Sequence, residues 1–369
     1  MKYLSEFRNG ELAQNLIKQI QQEIQTDHNY RIMEFCGGHT HTIFRYGIPA
    51  MLPENIQLLH GPGCPVCVLP MKRINAAIEL AQRKDTVLCS YGDMLRVPGD
   101  AQMSLLKAKS QGADVRMIYS PAEVVTIAQH EPDKNIIFFA VGFETTTPPS
   151  AVILEQAMQL KLTNLFIFCN HVLTPPAIQG IMEPAKLANK SILDGLIGPG
   201  HVSVVTGYKA YERLAERYQV PIVISGFEPL DILHSILLLV KQINQARHDL
   251  ENQYTRAVSA QGNQKAQNLI AKYFELRSTF EWRGLGEMPD SAIKIRPEYQ
   301  NYDAEVQFKL SESKGVDNKA CECPAVLRGQ KKPTECKLFN NPCTPENPLG
   351  SCMVSSEGAC AAYFQYQAY

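Results

Sequence analysis

The run Ile136-Ile137-Phe138-Phe139-Ala140-Val141, followed at once by Gly142-Phe143-Glu144-Thr145-Thr146-Thr147, decides the fold. Consecutive apolar residues with no polar face describe a strand buried on both sides, the pattern of a parallel sheet covered by helices. The segment behind it is polar, and a helical pattern takes over at 150–160. The same unit recurs in both directions. Downstream, a strand over 165–169 ends in Asn170-His171 and a helix follows over 176–188. A short strand over 195–197 ends in Gly198-Pro199-Gly200-His201, a helix runs over 206–218, and a strand over 222–224 ends in Ser225-Gly226-Phe227-Glu228. Upstream, helices over 71–84, 101–111 and 121–130 alternate with strands over 86–89 and 113–119, the first ending in Ser90-Tyr91-Gly92-Asp93-Met94-Leu95-Arg96. Nearer the start, Asn9 caps an amphipathic helix over 9–25, with Leu12, Leu16, Ile20 and Ile24 four residues apart. A strand over 30–35 ends in Cys36-Gly37-Gly38-His39-Thr40-His41, and an apolar run over 56–60 ends in Gly61-Pro62-Gly63-Cys64-Pro65-Val66-Cys67.

Strands alternating with helices indicate βαβ units. Such sheets bind ligands beyond the carboxyl ends of their strands. Every polar segment quoted above falls at such an end, so several of them are placed to face one cleft. The expected fold class is α/β: two Rossmann-like parallel-sheet lobes plus a C-terminal loop-rich lobe. The expected division is 1–120, carrying Cys36 and the Cys64/Cys67 loop, then 121–245, then 246–369. In the last segment a helical stretch extends to about residue 275, β structure is expected over 280–310, and prolines, glycines and cysteines dominate from 314. A tail of that composition builds little core and is expected to fold around a metal centre.

The chain has 369 residues, 20% charged and 45% hydrophobic, with a formal net charge of −1. That balance gives no electrostatic case for nucleic acid or anionic lipid. No apolar run reaches the roughly 18 residues that a membrane span needs, and the first residues lack the apolar core of a leader. The expected location is therefore cytoplasmic. The eleven cysteines are then read as metal or redox groups rather than as a disulfide framework.

The Cys64/Cys67 pair sits in a loop stiffened by proline and opened by glycine, which suits redox or metal chemistry. Cys36, at a strand end before a helix, is expected to have its thiol pKa lowered by the helix N-terminus. In the tail, Cys321, Cys336, Cys343 and Cys360 are separated by 14, 6 and 16 residues. Four thiolates at these wide spacings suit a [4Fe–4S] cube better than a zinc ribbon, with zinc or no metal as the alternatives. Cys323 and Cys352 remain as a candidate dithiol pair. His39 is a candidate ligand, proton donor or partner orienting Cys36. Glu144 with Thr145, and His201, are candidates for polar work in the same cleft. Asp93 and Arg96 serve either the cleft or a surface pair, and His41 reads as structural as readily as functional. Cys89 and Cys169, inside apolar runs, read as packing thiols.

Taken together, Cys36-Gly37-Gly38-His39-Thr40, the 61–67 loop, Gly142-Phe143-Glu144-Thr145-Thr146, Gly198-Pro199-Gly200-His201, Gly226-Phe227-Glu228-Pro229 and the tail spacing resemble the hydrogenase maturation factor family HypD. The resemblance spans nearly the whole chain. It implies assembly of the Fe(CN)2CO group of [NiFe] hydrogenases, with the iron held between Cys36 and a HypC-type chaperone. It implies a HypE-type donor carrying cyanide as a thiocyanate, with HypF upstream, and a hydrogenase large subunit served indirectly. It maps the cluster ligands onto Cys321, Cys336, Cys343 and Cys360, the redox Cys-x-x-Cys onto Cys64 and Cys67, and a cluster-adjacent thiol pair onto Cys323 and Cys352. Two other classes stand beside it: a stand-alone iron–sulfur thiol/disulfide oxidoreductase, and a zinc-stabilised binding protein.

Overall fold

A computed structural model describes residues 5–188, 193–310, 315 and 318–366. Of the stretches discussed above, residues 1–4 of the start and 311–314, 316 and 317 ahead of the tail lie outside it. Nine strands carry the two sheets: β1 (Tyr30–Glu34), β2 (Ile56–His60), β3 (Thr86–Ser90), β4 (Asp114–Met117), β5 (Asn135–Gly142), β6 (Leu165–His171), β7 (Gly195–Pro199), β8 (Ile222–Ser225) and β9 (Leu250–Asn252). The first sheet has the order β2-β1-β7-β8-β9 and the second β4-β3-β5-β6. All pairings within both are parallel. The α/β class and the parallel lobes are therefore those expected.

The division near residue 120 does not match this pairing. β4 and β5 lie on either side of that point, yet both pair with β3 in the second sheet. The strands before residue 60 pair instead with those after 195, Ile32, Met33 and Glu34 standing opposite Gly195, Leu196 and Ile197. Leu250–Asn252, assigned above to the third segment, adds a last strand to the first sheet. An alternation of strands and helices carries no information about which distant strand is the neighbour, and that is where the expectation failed.

The helix expected over 206–218 is broken into Gly200–Thr206 and Glu212–Tyr218. Gly207 between them has φ 80°, and a Cβ there would strike the Ala260 carbonyl. Only glycine suits that turn.

Strand order reverses between β1 and β7 in one sheet and between β3 and β5 in the other. Parallel α/β sheets open their binding crevice at such points, outside the carboxyl ends. The residues found there are Cys36 after β1 and Gly200-His201 after β7 in the first lobe, and residues 91–96 and 143–147 in the second.

Apolar side chains cover both faces of each sheet. Each fully buried aromatic such as Phe138 or Phe168 contributes about 2–3 kcal/mol of transfer free energy. Cys89 and Cys169 are wholly buried packing thiols, and burial pushes both up to about 12. The core on one face of the second sheet runs on through Cys64, Cys67 and Val68 to Cys323, Cys343, Cys352 and Cys360. The tail thus shares a core with the second lobe. Its last helix, Ala359–Tyr366, also reaches the first, where Ala362 and Tyr363 pack into the core under β1. Among the described residues no helix is long and apolar enough to cross a membrane.

A polar knot joins the 271–308 region to the second sheet. Glu305 accepts from Arg73 and from both Nη atoms of Arg277, at 3.1 and 2.7 Å for the latter. Both guanidinium groups also donate to the Cys169 carbonyl at the end of β6. Burial alone would raise Glu305, but the charges of Arg73 and Arg277 outweigh it and hold it down to about 2. Its folded pKa lies below the unfolded value of about 4.3, so its contribution is present above that value and is lost as pH falls through about 2. Glu305→Ala leaves two poorly solvated cations without their carboxylate and is expected to cost about 3 kcal/mol, read by chemical denaturation at pH 7. Glu305→Gln is expected to flatten the acid limb of the stability curve between about pH 4 and 2. An unchanged limb would assign acid lability to other carboxylates.

Candidate functional site

Cys36 is the N-cap of the helix Gly37–Arg45, at the end of β1. Glu34, two residues earlier and 2% exposed, folds its carboxylate back over the turn. Its Oε2 accepts from the Cys36 N–H at 2.8 Å, and its Oε1 accepts from the Thr40 hydroxyl. His60 Nδ1 lies 2.9 Å from the same Oε1. A carboxylate only accepts, so Nδ1 carries the proton. His60 is the last residue of β2 and leads straight into Gly61. One carboxylate thereby fixes both the Cys36 turn and the start of the loop that carries Cys64.

Two backbone bonds complete the junction, Gly61 N to Glu34 O at 2.9 Å and Gly37 N to Gly63 O at 3.1 Å. A Cβ at Gly63 would run into the Cys36 backbone, which is why this loop needs glycine at that position. Cys64 caps the short helix Pro65–Val68, and the Cys67 N–H donates to Cys64 Sγ at 3.3 Å. The two cysteines form a disulfide with Cα atoms 5.3 Å apart, and both are buried.

The lowered Cys36 thiol pKa expected from the sequence is reversed: its pKa is raised far above the ordinary thiol value. Burial is the largest cause and the Glu357 carboxylate the next. Glu34 adds to them, and the N–H groups of Gly38 and His39 oppose without winning. The short-range pull of a helix start is real, but desolvation of the thiolate and two nearby carboxylates exceed it. These surroundings favour the protonated thiol over the thiolate.

His39 is wholly buried, with Nε2 at 3.1 Å from the Ser225 carbonyl and no partner at Nδ1. Burial pushes its pKa down, so the imidazole is neutral with its proton on Nε2. Phe227 stacks with His39 at 4.7 Å and with His201 at 3.6 Å between ring centroids. These rings bring His39 and His201 together at the carboxyl ends of β7 and β8. Crowding by protein and then His39 push His201 down, although the solvent-exposed side of the ring limits that effect.

Glu144 stands apart from this group. Its two oxygens accept from the Thr174 N–H and hydroxyl, each at 2.9 Å, at the start of the helix Thr174–Leu187. Burial raises it to about 7. Asp93 and Arg96 form a loose pair at 3.6 Å, and Arg96 Nη2 also donates to the Val354 carbonyl of the tail at 2.7 Å. His41 Nε2 lies 2.8 Å from the Tyr366 hydroxyl.

All six tail cysteines line one small cavity together with Leu338, Phe339 and Met353. The thiols of Cys321, Cys323, Cys352 and Cys360 crowd one another, and that mutual influence holds the Cys323 pKa down while those of Cys321 and Cys352 are raised. The Leu349 N–H is aimed at Cys343 Sγ, 3.4 Å away, as amides are at thiolate ligands. A Cβ at Gly350 would fill the space beside Cys321 Sγ. An all-sulfur donor set in an apolar cavity fits an iron–sulfur cube by chemistry. Among the described residues no three His, Cys, Asp or Glu side chains already form a metal cage.

Sequence reasoning missed Glu34, His60, Ser351 and Glu357, and it quoted Phe227 in a motif without giving it a role. Glu34 had a local signal, a carboxylate pointing to the same side of the strand as Cys36 two residues on. Ser351 and Glu357 had none, because their neighbours lie about 300 residues away in the chain. Ser351 Oγ donates to the Cys67 carbonyl at 3.0 Å, and Glu357 lies over Gly37.

The family model described as "HypD: Hydrogenase formation hypA family" matches residues 11–367. The chain is 58% identical over 367 residues to the hydrogenase maturation factor HypD of Azotobacter vinelandii, covering 99% of this chain and 97% of that one. It is 52% identical over 368 residues to HypD of Cupriavidus necator, with 99% and 97% coverage. With HypD of Escherichia coli strain K12 the identity is 42% over 372 residues, covering 100% and 98%. A match of this extent, over both lobes and the cysteine-rich tail, shows that the chain belongs to the HypD family of hydrogenase maturation factors.

Proposed function

We propose that this maturation factor holds, on Cys36 and together with a HypC-type chaperone, the iron that receives the cyanide and CO ligands of a [NiFe] hydrogenase. It also supplies the electrons for cyanide transfer through its own thiols. One observation carries the reading: the Cys64/Cys67 pair is hydrogen-bonded on one side to Ser351, the neighbour of Cys352, and abuts the Cys36 turn through Gly63 on the other.

Iron bearing cyanide and CO is soft and prefers a thiolate. Cys36 keeps its proton until iron arrives, because burial and Glu357 disfavour the free thiolate. Iron then displaces that proton. His201, near the same turn and open to solvent, is the polar group suited to donate to a cyanide nitrogen, while His39 gives its one proton to the Ser225 carbonyl and Glu144 is engaged with Thr174.

Cyanide is delivered by a HypE-type donor as a thiocyanate. Breaking its S–C bond to leave cyanide on iron and a thiol on the donor takes two electrons. The Cys64/Cys67 dithiol gives two as its S–S bond forms, and of its two protons one goes to the donor sulfur and one to solvent. Cys323 and Cys352 restore that dithiol by exchange. Cys352 gives up its proton as it attacks Cys67 sulfur, and the freed Cys64 thiolate takes a proton up. The Cys323 thiolate then attacks Cys352 sulfur and frees Cys67, leaving a Cys323–Cys352 disulfide. Cys321, Cys336, Cys343 and Cys360 are the residues that would hold a [4Fe–4S] cluster, which when bound supplies electrons singly.

Infrared spectra of the protein purified after co-production with its maturation partners test this directly. Wild type is expected to show cyanide and CO bands. Cys36→Ala is expected to lose both the bands and the iron bound outside the tail. Cys64→Ala and Cys67→Ala are expected to keep that iron and lose the cyanide bands. Bands retained in Cys36→Ala would remove Cys36 as the anchor, and unimpaired cyanide bands in the other two would remove the dithiol from transfer. Metal analysis checks the tail. Four iron and four sulfide per chain are expected beyond the Cys36 iron, falling sharply in Cys343→Ala, whereas zinc alone would favour the zinc-stabilised binding protein.

A further inference from the structure

Ser351 contributes no thiol, yet it is the side chain that joins the two thiol pairs. It is wholly buried, in the short turn Ser351–Met353. Its hydroxyl donates to the Cys67 carbonyl at 3.0 Å. Its own carbonyl lies 4.0 Å from Cys67 Sγ, the outer limit for a sulfur donor. Cys67 is 0% exposed, so no water competes for either contact.

The second contact depends on the redox state. In the disulfide, Cys67 sulfur has no proton, and its approach to the Ser351 carbonyl is a van der Waals contact. In the dithiol, the S–H meets an oxygen already in place. That oxygen is pinned twice, by the Val354 N–H that donates to it at 3.0 Å and by the hydroxyl bond that holds residue 351 against Cys67. A hydrogen bond that one redox state makes and the other does not shifts the equilibrium toward the state that makes it.

We propose that Ser351 is a positioning residue for the redox step: it favours the reduced Cys64/Cys67 pair and keeps Cys67 facing Cys352. The inference rests on the dithiol role proposed above. Its test reads an equilibrium rather than cyanide transfer, so the two can fail separately. If Cys64→Ala and Cys67→Ala still transferred cyanide, the Ser351 effect would remain measurable and would belong to some other use of the pair.

The experiment equilibrates full-length protein with defined ratios of reduced and oxidised dithiothreitol under argon. Free thiols are then alkylated, and the Cys64/Cys67 peptide is quantified by mass spectrometry. Ser351→Ala is expected to make the pair harder to reduce by about threefold to tenfold in the exchange constant, at most about 30 mV. Ser351→Thr keeps the hydroxyl and is expected to stay nearer wild type. A Ser351→Ala protein that is less stable but has the wild-type exchange constant would reduce Ser351 to a packing role and overturn the proposal, as would equal shifts in both variants. Wild-type protein supplies a check that needs no substitution. Hydrogen exchange in peptides covering 345–356 is expected to slow when Cys64/Cys67 is reduced, and identical exchange in the two states would contradict the proposal.

Discussion

The Glu34 carboxylate is almost wholly buried and takes hydrogen bonds from the Cys36 N–H, the Thr40 hydroxyl and His60 Nδ1. Removing a carboxylate from water is costly, and three donors, one of them an imidazole, offset the loss. In return the carboxylate sets two things at once. It closes the turn that presents Cys36, and it anchors the end of β2 from which the 61–67 loop departs. The backbone bonds from Gly61 to Glu34 and from Gly37 to Gly63 then hold the loop and the turn against each other. β1 and β2 already run side by side with Glu34 opposite His60, and these bonds carry that register on into the turn and the loop.

The same crowding explains why the thiols differ in character. Cys36 feels burial and two carboxylates, which favour its protonated thiol. Cys323 sits among other thiols near the charge of Arg283, and its pKa is lowered instead. The roles proposed for the two make opposite demands, since an anchor would need a deep site specific for a soft cation and a nucleophile a ready lone pair. Cys64 and Cys67 lie between them in a core shared by the second lobe and the tail. That shared core explains how a loop-rich segment with little apolar surface of its own can sit against the junction of the two lobes.

Much of this was legible in the chain. The apolar runs such as 136–141 gave strands buried on both faces, and the quoted polar segments fell at their carboxyl ends as a parallel sheet requires. Asn9 was legible as the cap of Gly10–Glu23, where it accepts from Glu11 and Leu12, and type and position singled out Cys36, Cys64 and Cys67 as candidates. The pairing of β1 with β7 was not legible, because neighbours 163 residues apart, such as Ile32 and Gly195, leave no trace in a local period. The Cys36 shift was misread because a helix start is visible in sequence while desolvation and Glu357 are not. Glu144 looked free for cleft chemistry, yet its oxygens both went to Thr174, a residue of the next crossover. The resemblance implies roles where local chemistry left alternatives open, and the match over residues 11–367 carries the family itself.

The central claim is that electrons reach Cys64/Cys67 through Cys323/Cys352. Stepwise anaerobic photoreduction of the purified protein, with each thiol counted by alkylation and peptide mapping, tests it most directly. In wild type, Cys64 and Cys67 are expected to become free thiols as reducing equivalents are added. In a variant with Cys323 and Cys352 both replaced by Ala they are expected to stay oxidised at the same dose. Equal opening of the Cys64–Cys67 disulfide in the two proteins would contradict the account.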